Sequence, residues 1–178
     1  MKKIGLWIFV AALFITGCDG NTPLMKLAQD GNAAQIKAAL EAGASLEERN
    51  KYGWTALMHA ARAGHVDAVR VLLDAGAKVD VRDDSGSTSL IRAATKGHLD
   101  LVNLLVEHHA DVNAVDENSW TALFWAVHRG HIEVVKALIA HGASINIRDP
   151  SGRSPMQIAK VEGQTEILQL LDAAGGKY

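Results

Sequence analysis

Three histidines, His65, His98 and His131, stand at a fixed interval of 33 residues, and each follows a glycine. Imidazoles in series are the raw material of metal sites and of acid/base chemistry. An interval of this length, however, marks stacked units rather than a single pocket. Neighbouring units pack about 10 Å apart, the usual distance between helices, whereas a zinc–nitrogen bond is about 2 Å long. The three rings therefore cannot share one ion, and they read as structural parts of a Gly-His turn. His108, His109 and Asp111 form a second cluster, whose spacing suits one tetrahedral ion poorly. Nucleophilic chemistry has no better footing. There is no Gly-x-Ser-x-Gly element, no phosphate-cradling glycine loop, and a single cysteine, Cys18. No catalytic residue, metal ligand or cofactor is expected, and the chain does not read as an enzyme.

Cys18 invites a different chemistry. Lys2 and Lys3 precede an apolar run from Ile4 to Ile15, which is too short to span a bilayer and has the form of a secretory signal. The run ends in Ile15-Thr16-Gly17-Cys18, which resembles the lipobox of bacterial lipoproteins. That resemblance implies a diacylglyceryl group on the Cys18 sulfur, cleavage after Gly17 and acylation of the new amino terminus. Two or three acyl chains anchor a protein durably where one would not. The alternative is an ordinary signal peptide, or an uncleaved anchor, in which the cysteine is incidental. Asp19 resembles the signal that retains such lipoproteins in the inner membrane of enteric-type bacteria. Asp19, Gly20 and Asn21 alone separate Cys18 from the first repeat, a tether of roughly 10 Å if extended. The expected location is therefore the cell membrane, lipid-anchored and facing the periplasm. The exported domain would contain no thiol and no disulfide.

The elements that position these residues follow from the 33-residue frame. Thr22, Thr55, Thr88, Thr121 and Ser154 keep step, as do Leu24, Leu57, Leu90, Leu123 and Met156 and, again, Gly31, Gly64, Gly97, Gly130 and Gly163. In each unit the hydroxyl residue caps a short helix, alanines allow close approach, and glycine ends the helix. A second helix follows, with apolar residues at helical spacing, as in Val66 to Asp74. A polar finger completes the unit. Five units after the leader fill the 178-residue chain and leave no room for a second domain. The net charge of −2, which becomes −4 without Lys2 and Lys3, offers no basic stripe for nucleic acid.

Thr22-Pro23-Leu24, Ala60-Ala61, Gly64-His65, Gly97-His98, Gly130-His131, Val134-Val135, Gly76-Ala77, Gly142-Ala143, Asn113 and Asn146 together resemble the ankyrin repeat. The resemblance covers about residues 21 to 176 and implies an all-α solenoid of helix-turn-helix units with β-hairpin fingers. The expected organisation is a signal peptide over 1-17, a lipidated terminus and tether over 18-20, and a repeat domain over 21-178. The repeats fall at about 21-49, 50-82, 83-115, 116-148 and 149-178. The chain departs from the pattern after the leucine, where Met25, Met58, Ile91, Phe124 and Gln157 replace a histidine. Apolar packing between neighbours is expected there instead. His109 occupies a glycine position shared with Gly43, Gly76, Gly142 and Gly175, and so is expected at positive φ. Gln157, Lys160, Gln164, Gln169 and Asp172 make the last unit polar and small alanines mark the first, so both ends read as caps of a complete array.

In ankyrin proteins partners usually dock on the finger tips and the exposed side of the first helix, which form a concave face. The resemblance places Lys51, Tyr52, Trp54, His59 and Arg62 there from the second unit. The third supplies Asp84, Ser85, Ser87, Arg92, Thr95 and Lys96, and the fourth Glu117, Asn118, Trp120, Trp125, His128 and Arg129. Ser151 and Arg153 come from the fifth. Trp, Tyr and Arg dominate binding energy at interfaces. The tryptophans could also simply cover finger backbone. The function expected is that of a monomeric, membrane-tethered module that binds a protein partner, with toxin immunity and oxidative defence as roles that resemblance suggests. A sensor of a small molecule or cell-wall fragment, built on Trp120, Trp125, His128 and Arg129, is the alternative.

Overall fold

The computed structural model describes residues 19–177, so Cys18 and the leader lie outside the described residues. Among the described residues ten helices follow in pairs: α1 (Pro23–Gln29), α2 (Ala33–Glu41), α3 (Ala56–Ala63), α4 (Val66–Asp74), α5 (Ser89–Lys96), α6 (Leu99–Glu107), α7 (Ala122–Arg129), α8 (Ile132–Ala140), α9 (Pro155–Val161) and α10 (Thr165–Ala173). The odd-numbered helices pack side by side as an inner layer and the even-numbered ones as an outer layer. A continuous core of Leu, Ile, Val and Ala runs between them. Among the described residues no helix is long and apolar enough to cross a membrane.

The hydroxyl frame starts the inner helices as expected. Thr22, Thr55, Thr88, Thr121 and Ser154 each accept a hydrogen bond from the backbone N–H three residues on. Met25, Met58, Ile91 and Phe124 are fully buried, so the missing histidine is replaced by apolar packing. Gln157, in the last unit, instead closes a capping box by accepting from the Ser154 N–H.

The Gly-His pairs couple neighbouring units. Nε2 of His65, His98 and His131 lies 2.9, 3.1 and 3.1 Å from the carbonyl oxygens of Gln29, Arg62 and Thr95 of the preceding unit. A carbonyl can only accept, so Nε2 carries the proton. The glycine is required twice over. Gly97 has φ +78°, and a Cβ there would lie 2.8 Å from Nδ1 of His131.

The fingers differ from the expected hairpins: no strand forms among the described residues. Each finger is a tight turn closed by the pairs Asn50–Trp54, Asp83–Ser87, Asp116–Trp120 and Asp149–Arg153, with N···O near 3.0 Å. Adjacent tips touch through single bonds, Asp84 N–H to Tyr52 O (3.1 Å) and Glu117 N–H to Ser85 O (3.0 Å). One closing pair in each finger and one bond between adjacent tips are too few to build a ladder.

His109 has φ +65°, as its glycine position requires. Ser119 also has positive φ (+58°), in the finger position held by Gly53, Gly86 and Gly152. Ser119→Gly is expected to stabilise the protein by about 0.5–1 kcal/mol in urea denaturation, the relief of left-handed strain less the added chain entropy of glycine. An unchanged or lowered midpoint would refute this.

The tether is not an extended spacer. Asn21 is buried, and the Asp19 carboxylate accepts from its backbone N–H (3.1 Å) and from its Nδ2 (2.7 Å). Asp19 therefore forms the edge of the folded domain.

Candidate functional site

Each finger is organised by one buried side chain, Asn50, Asp83, Asp116 or Asp149, placed at the 33-residue interval. Its Oδ1 accepts from the N–H groups two and four residues on, as Asn50 does from Tyr52 (2.9 Å) and Trp54 (3.0 Å), and Asp116 from Asn118 (2.8 Å) and Trp120 (3.0 Å). This Asx turn aims the residue before the cap of the inner helix, Trp54 or Trp120, across the concave side. The other polar atom reaches a side chain of the inner helix nine residues on. Asn50 Nδ2 lies 3.3 Å from His59 Nε2, Asp83 Oδ2 pairs with Arg92, and Asp116 Oδ2 accepts from Trp125 Nε1 (2.8 Å). The fifth unit has Ile158 at that place, and Arg153 serves Asp149 instead (2.7 Å). Burial pushes the Asp149 carboxyl up. The hydrogen bonds and charge of Arg153, with a hydrogen bond from Trp120, outweigh it and hold the pKa below the usual range. Sequence reasoning passed over these four residues, although their regular recurrence was the available signal.

The concave residues gather into two grooves rather than one face. The first, of about 980 Å³, lies between units one and three and is lined by Tyr52, Trp54, His59, Arg62, Arg92 and Lys96, with Asp19 and Asp84 at its rims. Arg92 and Arg62 bracket the half-buried Trp54 at 4.6 and 5.2 Å from its ring centroid. Tyr52 is 53% exposed beside it. The second groove, of about 430 Å³, is lined by Trp120, Trp125 and Arg153 with Glu117 and Asn118. Trp120 stacks on Phe124 (5.6 Å) and meets Trp125 and His128 edge-on (4.8 and 5.3 Å). Arg129 and Arg153 lie 5.8 and 5.9 Å from the Trp125 and Trp120 rings. His128 also sits 3.2 Å from Glu162.

Several expectations change. The tryptophans are half-buried and engaged by their neighbours, because a flat ring beside a helix excludes more water lying down than standing out. Ser87 is buried as part of its Asx turn, and Thr95 turns its hydroxyl back to the Ile91 carbonyl (2.7 Å). Arg92 is tied to Asp83. His59 is buried beneath Trp54, with ring centroids 5.1 Å apart. Among the described residues no group of His, Cys, Asp or Glu could hold a metal ion.

Burial lowers the His59 pKa from 6.5, with Asp19 pulling it up and Arg62 pushing it down. The neutral ring suits the geometry, since Nε2 must accept from the Asn50 amide. The unfolded chain then takes up a proton that the folded chain refuses, and stability falls as pH drops below 6.5. A urea midpoint that declines from pH 7.5 to 5.5, with the decline shallower in His59→Gln, is the expected result. Parallel declines in the two proteins would exclude His59 as the cause.

The amino-acid sequence matches the family model of ankyrin repeats in three overlapping copies, over residues 6–83, 24–116 and 90–176. The chain belongs to the ankyrin-repeat family. No curated protein matches it. Ankyrin repeats generally serve as protein–protein interaction modules and are typically not enzymes. In this ankyrin array the inner helices and fingers supply both grooves, and Asp19 and Asn21 ahead of the first helix complete the first.

Proposed function

We propose that this ankyrin protein is a non-enzymatic module, lipid-anchored through Cys18, that faces the periplasm and binds a protein partner with the two grooves of its concave side. The first groove carries the reading: a half-buried tryptophan between two arginines, with an exposed tyrosine beside it, combines the residue types that dominate interface energies. The second groove repeats the chemistry with Trp120, Trp125 and Arg153. The anchor is supported by Lys2, Lys3, the apolar run and Ile15-Thr16-Gly17-Cys18, and inner-membrane retention by Asp19. Because Asp19 is already part of the folded edge, such an anchor holds the domain against the membrane surface.

Crosslinking in intact membranes followed by mass spectrometry tests the binding face. One protein captured by the native chain and lost in Tyr52→Ala and Trp54→Ala is the expected result; capture retained in both removes the face. Trp54 is preferred to Trp120 because the latter also covers Phe124. For the anchor, labelled palmitate should enter the native chain and not Cys18→Ser. An unlabelled native chain ends the lipid proposal.

A further inference from the structure

The ends of the helices carry an asymmetry that the fold does not require. All five inner helices have a basic residue in the last turn, and none of the five outer helices does. A helix C-terminus favours a cation through its dipole, but that effect is the same for both layers. The bases are therefore concentrated on the concave side for another reason.

Within this row Arg62, Lys96 and Arg129 are exposed and form no ion pair among the described residues. Arg62 and Lys96 line the first groove, and Arg129 lies over Trp125 at the second. They come from units two, three and four. At the place of Lys96 and Arg129, unit one has Asp30 and unit five Glu162, while unit two has Ala63 and sets its base one residue earlier, at Arg62. Across the face, the finger tips present the exposed acids Asp84 and Glu117.

From this we infer that units two to four bind an acidic segment of the partner in an extended, polyproline II-like conformation, with a carboxylate at every third residue. The spacing decides the conformation. Repeats are about 10 Å apart, and polyproline II advances about 9 Å in its three-residue turn, which returns every third side chain to the same side. A β-strand turns successive third residues to opposite sides, and a helix advances only about 5 Å per turn. Glu117 repels an acid on the finger side, where Asp84 already faces Arg49 at 3.8 Å, so the carboxylates lie along the helix ends. Trp54 and Trp125, each beside an arginine, receive the apolar residues between them. The inference rests on the concave face being the binding face.

The test is fluorescence anisotropy of labelled peptides with the full chain in non-ionic detergent. A (Glu-Pro-Pro)4 peptide should bind at least about tenfold more tightly than a peptide of the same composition with its glutamates contiguous, and than (Lys-Pro-Pro)4. The triple change Arg62→Gln, Lys96→Gln and Arg129→Gln should weaken it at least about tenfold, whereas Arg62→Lys with Arg129→Lys should retain affinity within about threefold. Circular dichroism melting confirms that the variants are folded. Equal binding of the contiguous-glutamate peptide, or affinity unchanged in the folded triple variant, overturns the inference. A crosslinked partner lost in Trp54→Ala but kept in the triple variant would leave the binding face standing and remove the acidic segment. A partner kept in both would remove both.

Discussion

Replacing Phe124 with alanine is expected to lower the unfolding free energy by about 3–5 kcal/mol. The ring is completely buried, at the position where other units place Met25, Met58 or Ile91. Its loss leaves a cavity that flanking helices, held in register by both neighbours, cannot collapse to fill. Trp120 stacks on the same ring, so the second groove loses its floor while the first keeps its own. Urea unfolding should fall by this amount, and tryptophan emission should shift toward the red before the main transition. Phe124→Met, which copies units one and two, should cost less than about 1.5 kcal/mol. A loss below that figure for the alanine variant would mean that the site relaxes freely.

Asp83→Ala should cost about 3 kcal/mol, somewhat less than breaking a fully buried pair because the Arg92 side chain is 24% exposed. Asp83 Oδ1 accepts from the Ser85 N–H (2.9 Å) and the Ser87 N–H (3.0 Å), and alanine leaves both without a partner. Arg92 loses its counter-charge and with it the position that flanks Trp54. The second unit offers a compensating design, because Asn50 and His59 occupy the same two places without a net charge. Asp83→Asn alone leaves Arg92 facing an amide. Adding Arg92→His should recover at least about half of that loss, and a double-mutant cycle should show coupling above about 1 kcal/mol. Additive losses would show that the third unit does not use its pair as the second does.

Much of the fold was legible because repetition makes each signal recur, the hydroxyl caps five times and the Gly-His pairs three times. Thr22, Thr55, Thr88, Thr121 and Ser154 announced the caps, and the Gly-His pairs the turns, because a cap or a left-handed residue is a local backbone requirement that only a few side chains meet. The same reasoning placed His109 at positive φ. It missed Ser119, since serine does not advertise a left-handed backbone; only the position of Gly53, Gly86 and Gly152 does.

The groove residues were legible by position but not by state. The frame placed Trp54, Arg62, Arg92, Trp120 and Trp125 on the concave side, and they are there. It could not say that Arg92 spends its charge on Asp83, that His59 lies beneath Trp54, or that Ser87 is buried. Those outcomes depend on which side chain nine residues along the inner helix meets each finger's Asx residue: His59, Arg92 or Trp125.

The sequence by itself determined the architecture and the outline of the face, because periodic caps, glycines and leucines act through local backbone preference and a repeating interface. The tertiary structure alone decided how that face divides, placing one groove around Trp54 and another around Trp120. The reason is that burial and pairing of Trp, Arg and His are settled by contacts between units, and such contacts exist only once the units are stacked.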